Sequence, residues 1–417
     1  MKKMSIKSLV ILLFTVFVIG CNMHSPKGVI TDVTPVSKKL TLMIYMAADN
    51  DLEKWALKNL KQMERAGYEE LNVVVLLDRS DGYDETDGNW TDTRLFEVTH
   101  DRGNGSGITS KRLSCEPLGL SASANTELDT GDWTVLKTFI EFSKEAYPAE
   151  NYALIMWGHG AGIGSFAVDD RSKNSMILSE LKKAVSNQGL CVIGFDTCFG
   201  GVLECVYELK DCAPFITGCP RMAPSQGWDY TMLLEEIEKE SMEEKQIALS
   251  MSRASSIPAF VFDMSKVTGL FQNFEAFARE LSYTINDSQS QQQMFETLYN
   301  SKSYNADTYP CDMFLEIRAL ASLFISSNSQ NLNESAAALI QTIDNTLSSP
   351  NGTAAEVSVY FVPLESAGVL TGTHPSDYVK NQSNTSQCSF VKQSQWWVPT
   401  SGENSGSVLD KLFYTSF

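Results

Sequence analysis

Histidine is scarce in this 417-residue chain, which contains only His24, His100, His159 and His374. A site built from several imidazole ligands is therefore hard to assemble. With no Cys-x-x-Cys pair among the nine cysteines, the sequence holds no zinc signature and no metal site is expected. Basic residues are also in deficit, with 33 Lys and Arg against 51 Asp and Glu and a formal charge of −18. That balance excludes the basic surface that nucleic-acid phosphates require. It keeps copies of the chain apart, consistent with a monomer, and would steer basic peptides toward a cleft. Beyond the N-terminus there is no apolar run long enough to cross a bilayer. The 43% hydrophobic and 20% charged content is that of a globular chain, and the length calls for more than one domain.

The first twenty residues read as an export signal. Lys2, Lys3 and Lys7 precede an apolar run, Leu9 to Val18, interrupted only by Thr15. Val18-Ile-Gly-Cys21 then resembles a bacterial lipobox, in which Cys21 is lipidated and begins the mature chain. Residues 21–37 follow as a polar tether. This predicts an exported membrane lipoprotein, facing the periplasm or the cell surface and touching the membrane through its N-terminal lipid only. Export permits disulfides, but the other eight cysteines show no framework pattern. Five of them, Cys191, Cys198, Cys205, Cys212 and Cys219, fall seven apart across strand, turn and helix, so they cannot share one face.

Past the tether, buried strands alternate with amphipathic helices. Apolar runs at 40–46, 72–77, 152–157, 191–195, 215–218 and 259–262 read as strands. Asp49, Asn50 and Asp51 offer cap chemistry for a helix through about Arg65, and helices are expected at 132–146, 177–187 and 200–209. This alternation predicts an α/β fold with a mostly parallel sheet covered on both faces, over residues 38–264. From 265 to 417 helical periodicity dominates, with a late strand at 357–362, which reads as a second, mainly helical subdomain.

In open parallel sheets, ligands bind beyond the carboxyl ends of the strands. Two strands end there in reactive residues: Trp157 leads to His159 and Phe195 leads to Cys198. A single crossover separates them, so the two strands can be neighbours. A thiol needs an adjacent base or positive charge to become a thiolate near neutral pH. The helix expected from Gly200 would add its dipole. Gly158, Gly160, Gly200 and Gly201 let backbone N–H groups approach a substrate carbonyl. Taken singly, His159 could fill a tight turn and Cys198 a packing niche; together they point to nucleophilic catalysis.

Tyr45-Met-Ala-Ala-Asp-Asn-Asp-Leu52, Tyr152-Ala-Leu-Ile-Met-Trp-Gly-His-Gly160, Gly194-Phe-Asp-Thr-Cys198, Val168-Asp-Asp170 and Val357-Ser-Val-Tyr-Phe361 together resemble the clostripain family of cysteine peptidases. The resemblance spans roughly residues 38–380 and implies the caspase-like α/β/α sandwich of the caspase, legumain and gingipain clan. It implies that Cys198 and His159 are a catalytic dyad, with the N–H groups of Gly160 and Cys198 as the oxyanion hole. It also implies cleavage after Arg or Lys, with Asp196 as the acidic specificity residue. Asp229 is a second candidate for that pocket. Members of the family can be activated by a cut between the dyad residues, which here would fall at Lys173 or, second, at Arg171. The chain departs from the pattern in Thr197-Cys-Phe-Gly200 and in Cys219-Pro-Arg-Met-Ala-Pro224, where Arg221 sits badly with a basic preference. Some relatives use calcium; no EF-hand-like loop is present and that question stays open. A non-catalytic binding protein of the same fold, or a clan peptidase of different preference, are the alternatives.

Overall fold

The computed structural model describes residues 37–100, 107–300, 314–350, 352–361, 388–397 and 406–413. The signal peptide, tether, Cys21, His24 and His374 lie outside these residues. Among the described residues no helix is long and apolar enough to cross a membrane.

Four crossovers build the parallel centre of a nine-stranded sheet. The central strand β1 (Lys38–Ala48) pairs on one side with β2 (Leu71–Arg79) and on the other with β5 (Ala149–Trp157). Beyond β5 come β8 (Val192–Asp196) and β9 (Phe215–Gly218), all parallel. Antiparallel strands close both edges. On one lie β3 (Thr93–Glu97) and β4 (Lys111–Leu113), and on the other β10 (Phe260–Asp263) and β12 (Leu347–Ser348).

Strand alternation divides the core into two layers. From β1, Met43, Tyr45 and Ala47 enter one cluster, while Leu42, Ile44 and Met46 enter the other. The second face is covered by α1 (Glu53–Arg65), α5 (Tyr230–Lys239) and α6 (Glu244–Ala254) through residues such as Leu60, Leu233 and Met251. The first face carries α2 (Trp133–Ala146), α3 (Leu178–Val185), α4 (Leu203–Glu208) and α7 (Met264–Tyr283). This is the expected sandwich with a mostly parallel sheet between helical layers.

The boundary expected at residue 265 does not hold as a break. Contacts group Ser37–Phe417 as one compact unit. β10 ends at Asp263 and α7 begins at Met264, so no linker intervenes. Val267, Leu270, Phe274 and Phe277 of α7 are buried in the same cluster as the sheet residues. The later helices α8 (Ser288–Asn300), α9 (Ile317–Ser322) and α10 (Gln330–Thr346) join that layer, and β12 completes the main sheet. The late strand is β13 (Ser358–Tyr360), paired with β11 (Phe314–Glu316) in a separate ribbon.

The loop from β1 into α1 also differs from the cap reading. The N-cap of α1 is Leu52, with no side-chain cap bond. Asn50 instead ties the loop together: its amide donates to the carbonyls of Ala47 and Val168, and its Oδ1 accepts from the Leu52 N–H at 3.0 Å. The first residue of α1 is anchored by a fully buried ion pair, Arg79 Nε to Glu53 Oε1 at 2.6 Å. Glu53 Oε2 accepts from the Asp84 N–H at 2.9 Å, and the Arg79 guanidinium lies 4.7 Å from the Trp90 ring centre. Removing one partner strands the other charge in the interior. Glu53→Ala is expected to lower unfolding free energy by about 3–5 kcal/mol, read by urea denaturation. A loss below about 1 kcal/mol would show that solvent reaches Arg79 in the folded state.

Candidate active site

The ladder between β5 and β8 fixes the site. Trp157 is paired with Asp196, so His159 and Cys198 each stand two residues past a matched position at the carboxyl edge. The Gly158 N–H still reaches the Asp196 carbonyl, at 3.4 Å. Gly158 has φ +132, and a Cβ there would meet the Ala47 carbonyl oxygen at 2.8 Å, so only glycine lets the strand turn outward at this point. His159 and Cys198 line one cavity of about 110 Å³ together with Leu52, Asp196, Thr197, Met222, Ala223, Pro224 and Gly227. Larger hollows, of about 510 and 500 Å³, lie at the amino ends of β1 and β5 and beside β3. Neither is lined by a histidine or a cysteine, so size does not identify the site.

Cys198 sits on a tight turn. Phe199 takes φ +56, a left-handed conformation that a bulky side chain rarely adopts. The turn is clamped from the chain that follows β9: Phe199 N–H donates to the Arg221 carbonyl at 2.9 Å and Gly201 N–H to the Cys219 carbonyl at 2.8 Å. Here the sequence expectation needs correction. Residues 198–201 are turn, Val202 is a bridge residue, and α4 begins at Leu203 and is six residues long, so no helix start abuts the thiol. The polar stabilisation comes instead from the Ala223 N–H, which donates to Cys198 Sγ at 3.2 Å. In this turn Gly200 packs tightly against Phe195 and Gly201 against Gly218, leaving no room for a Cβ at either position.

His159 has a partner that the sequence did not announce. Its Nε2 lies 2.7 Å from Asp51 Oδ1, and both side chains are substantially exposed. Asp51 follows β1, whose Met46 pairs with Trp157, so the two strand ends rise side by side. A signal existed in the Asp49-Asn-Asp51 run at a strand's carboxyl end, but helix-cap chemistry explained it more simply. Gly160 packs so closely that a Cβ would lie 2.6 Å from the Cys198 carbonyl oxygen. Its N–H donates to no partner among the described residues.

Asp196 forms part of the cavity wall and is buried. Its Oδ2 accepts from the Trp228 N–H and from the Tyr230 hydroxyl, each at 3.0 Å. Burial pushes its carboxyl up to about 7 against the pull of those two bonds. Asp229 is elsewhere: it caps α5 by accepting from the Met232 N–H at 3.0 Å and lines a separate depression with Trp55, Lys58 and Gln62. Arg221 does not line the Cys198 cavity, and its guanidinium is bound to Glu356. Arg171 and Lys173 lie on the exposed connection between β6 (Phe166–Asp169) and β7 (Asn174–Met176). Arg171 is held by Glu127 at 2.8 Å and donates to the Thr91 carbonyl, whereas Lys173 is exposed at φ +53.

Among the described residues one carboxylate group has metal-like spacing: Asp49, Asp78 and Asp169, with oxygens within 4.8 Å of one another. Such an oxygen set suits a hard cation. The oxygens of Asp78 and Asp169 accept from the Thr93 and Thr130 hydroxyls and the Thr130 and Ser172 N–H groups, whereas Asp49 Oδ2 is buried with no hydrogen-bond partner among the described residues. Arg171 Nε stands 3.8 Å from Asp49 Oδ2. Burial raises the Asp49 and Asp78 carboxyls. Cys115, Cys191, Cys205, Cys212 and Cys219 are buried free thiols.

The chain matches the model of the clostripain family over residues 44–397. The chain belongs to the clostripain family. Clostripain from Hathewaya histolytica is 30% identical over 197 residues, covering 42% of this chain and 36% of that relative. The chain thus aligns with about a third of that protein's length. Two crystal structures share the fold at 16% identity. One is a secreted C11 cysteine protease from Bacteroides thetaiotaomicron in complex with an irreversible peptide inhibitor, with TM-score 0.56, covering 85% of this chain and 99% of that one. The other is an inactive zymogen C11 protease from Parabacteroides distasonis, with TM-score 0.55, covering 84% and 99%.

The closeness of Gly160 to the Cys198 turn gives a test of the local packing. Gly160→Ala is expected to lower the unfolding free energy by about 1–3 kcal/mol, because backbone and Thr197 must give way. An unchanged urea midpoint would mean that the two strand ends are farther apart than described.

Proposed function

We propose that the protein is a cysteine endopeptidase cleaving after Arg or Lys, activated by cutting its own chain. The observation that carries this is the convergence of Cys198, His159 and Asp196 on one small cavity at the sheet's carboxyl edge. Family membership and an inhibitor-bound protein of the same fold support the peptide chemistry.

In this reading the Cys198 proton passes to His159 and the thiolate attacks the scissile carbonyl carbon. The N–H groups of Gly160 and Cys198 hold the resulting oxyanion. As the tetrahedral species collapses, the C–N bond breaks and His159 gives its proton to the departing amine. Water, deprotonated by His159, then attacks the thioester; the carboxylate product leaves and the thiol is restored. Asp196 takes the cationic side chain: its Oδ2 is engaged by Trp228 and Tyr230, and a carboxylate in a partly dry pocket suits guanidinium or ammonium. Arg221, neutralised by Glu356, does not oppose a basic ligand. The substrates are peptides, nucleic acid is no partner, and the chain acts as a monomer. Lipidation at Cys21 would keep the exported enzyme at the membrane.

Peptide reporters ending in Arg, Lys, Asn and Asp test the specificity, with Cys198→Ala as the inactive control and His159→Ala reduced to residual turnover. Arg and Lys reporters are expected to be cut at least tenfold faster. Turnover of none of them, with no labelling of Cys198 by a thiol-reactive peptide, would end the peptidase reading. The pocket acid also sets a pH dependence. Asp196 ionises as pH rises through about 7, so the kcat/KM ratio of Arg over Asn reporters should climb across that range and level off above it. Taking the ratio cancels the titration of the dyad. Asp196→Asn should leave the ratio flat; a rise that survives in this variant would move the specificity residue elsewhere.

Self-cleavage is expected at the exposed Lys173 bond, with Arg171 second because its ion pairs hold it in place. Intact-mass comparison of wild type with Cys198→Ala reads it directly: identical fragments from both would rule out self-processing.

A further inference from the structure

We infer that Asp51 is a positioning residue for His159, holding the imidazole as its Nε2–H form with Nδ1 left for the Cys198 thiol. The inference rests on the proposed dyad. Asp51 Oδ1 stands 2.7 Å from His159 Nε2. A histidine that exchanges protons with a thiol through one nitrogen needs its other nitrogen fixed, and an oxygen acceptor does so by taking the second N–H. Among the described residues this is the one hydrogen bond made by the ring, so Asp51 alone decides which nitrogen carries the proton.

Ordinary surface ion pairs contribute little, because solvent screens them and two mobile side chains must be ordered together. Here the backbone presenting each partner is already fixed. Asp51 stands between Asn50, buried and bonded to Ala47, Val168 and Leu52, and Leu52 itself, which lines the cavity. The preceding Asp49 carbonyl accepts from the Asp170 N–H at 2.9 Å. His159 in turn stands on the β5 end, held by the Gly158 N–H and the close packing of Gly160. The other ionisable groups lining the cavity with His159 are Cys198 and Asp196.

Loss of the aspartate from a buried Asp–His pair costs roughly 10⁴-fold in rate. Asp51 is 64% exposed, so solvent and salt screen part of its effect. Asp51→Ala in the full chain is therefore expected to lower kcat on an Arg peptide about tenfold to a hundredfold, with KM within twofold. Asp51→Asn can turn its amide N–H toward Nε2 and hold the opposite tautomer, so it should be no more active than Asp51→Ala. In the His159→Ala background Asp51→Ala should add less than a twofold loss, because its effect passes through the imidazole. With four histidines in the chain, selective ¹⁵N-histidine labelling can follow His159 directly. Its neutral ring should be Nε2-protonated in the wild type and a tautomer mixture in Asp51→Ala. Wild-type kcat in Asp51→Ala, an effect confined to KM, or full additivity with His159→Ala would each overturn the inference. Full activity in His159→Ala would bring down the dyad reading and this inference with it. Residual turnover in His159→Ala beside a fully active Asp51→Ala would defeat the positioning role alone.

Discussion

The parallel pairing of β5 with β8 is the constraint from which the site follows. Register matters more than proximity here, because a one-residue slip would turn each side chain to the opposite face of the sheet. Trp157 opposite Asp196 brings both strands to the edge at the same level, and each chain then needs two further residues to reach its reactive group. The buried apolar run on both strands sets that register: Leu154 and Ile193 face one core layer while Ile155 and Val192 face the other. Folding energy and catalytic geometry are thus supplied by the same hydrophobic pattern.

Above the edge, the loops work by hydrogen bonding and steric exclusion. Positive φ at Gly158 and Phe199 turns the chain sharply where the strands stop. The segment after β9 then serves three ends: Arg221 and Cys219 carbonyls clamp the turn, Ala223 N–H contacts the sulfur, and Trp228 N–H with the Tyr230 hydroxyl engages Asp196. In the proposed mechanism the thiol is deprotonated and the carboxylate ionised, and both states are costly in a dry cleft. Local N–H donors lower that cost without filling the pocket with solvent.

What the sequence made legible was what short-range chemistry dictates. Strand periodicity located the layers, and strand-end placement picked His159 and Cys198 from four histidines and nine cysteines. Asp51 escaped because its partner lies 108 residues away, and an acid after a strand and before a helix already had a local explanation. The helix after Cys198 was read too early because apolar periodicity says nothing of Gly200 pressed on Phe195 or Gly201 pressed on Gly218. Asp229 illustrates the reverse error. Its helix-cap role is local and ordinary, and nothing in its neighbourhood in sequence says whether it also faces the cleft.

The same reasoning explains why the helical region after residue 264 is bound to the site rather than appended to it. Phe314 stacks on Phe199 with ring centres 4.4 Å apart, and it also limits space at Gly162 on the histidine side. Val202 forms a parallel bridge with Ser358, and the Tyr360 N–H donates to buried Glu204 at 2.8 Å. Glu356 reaches back to Arg221, next to the residues that contact the sulfur. A turn held in left-handed backbone at Phe199 persists only where surrounding contacts over-determine it. Those contacts come from both halves of the chain. The buried apolar cluster shared by the late helices, the ribbon and the sheet holds them in one unit, and its contacts help keep the Cys198 turn in place.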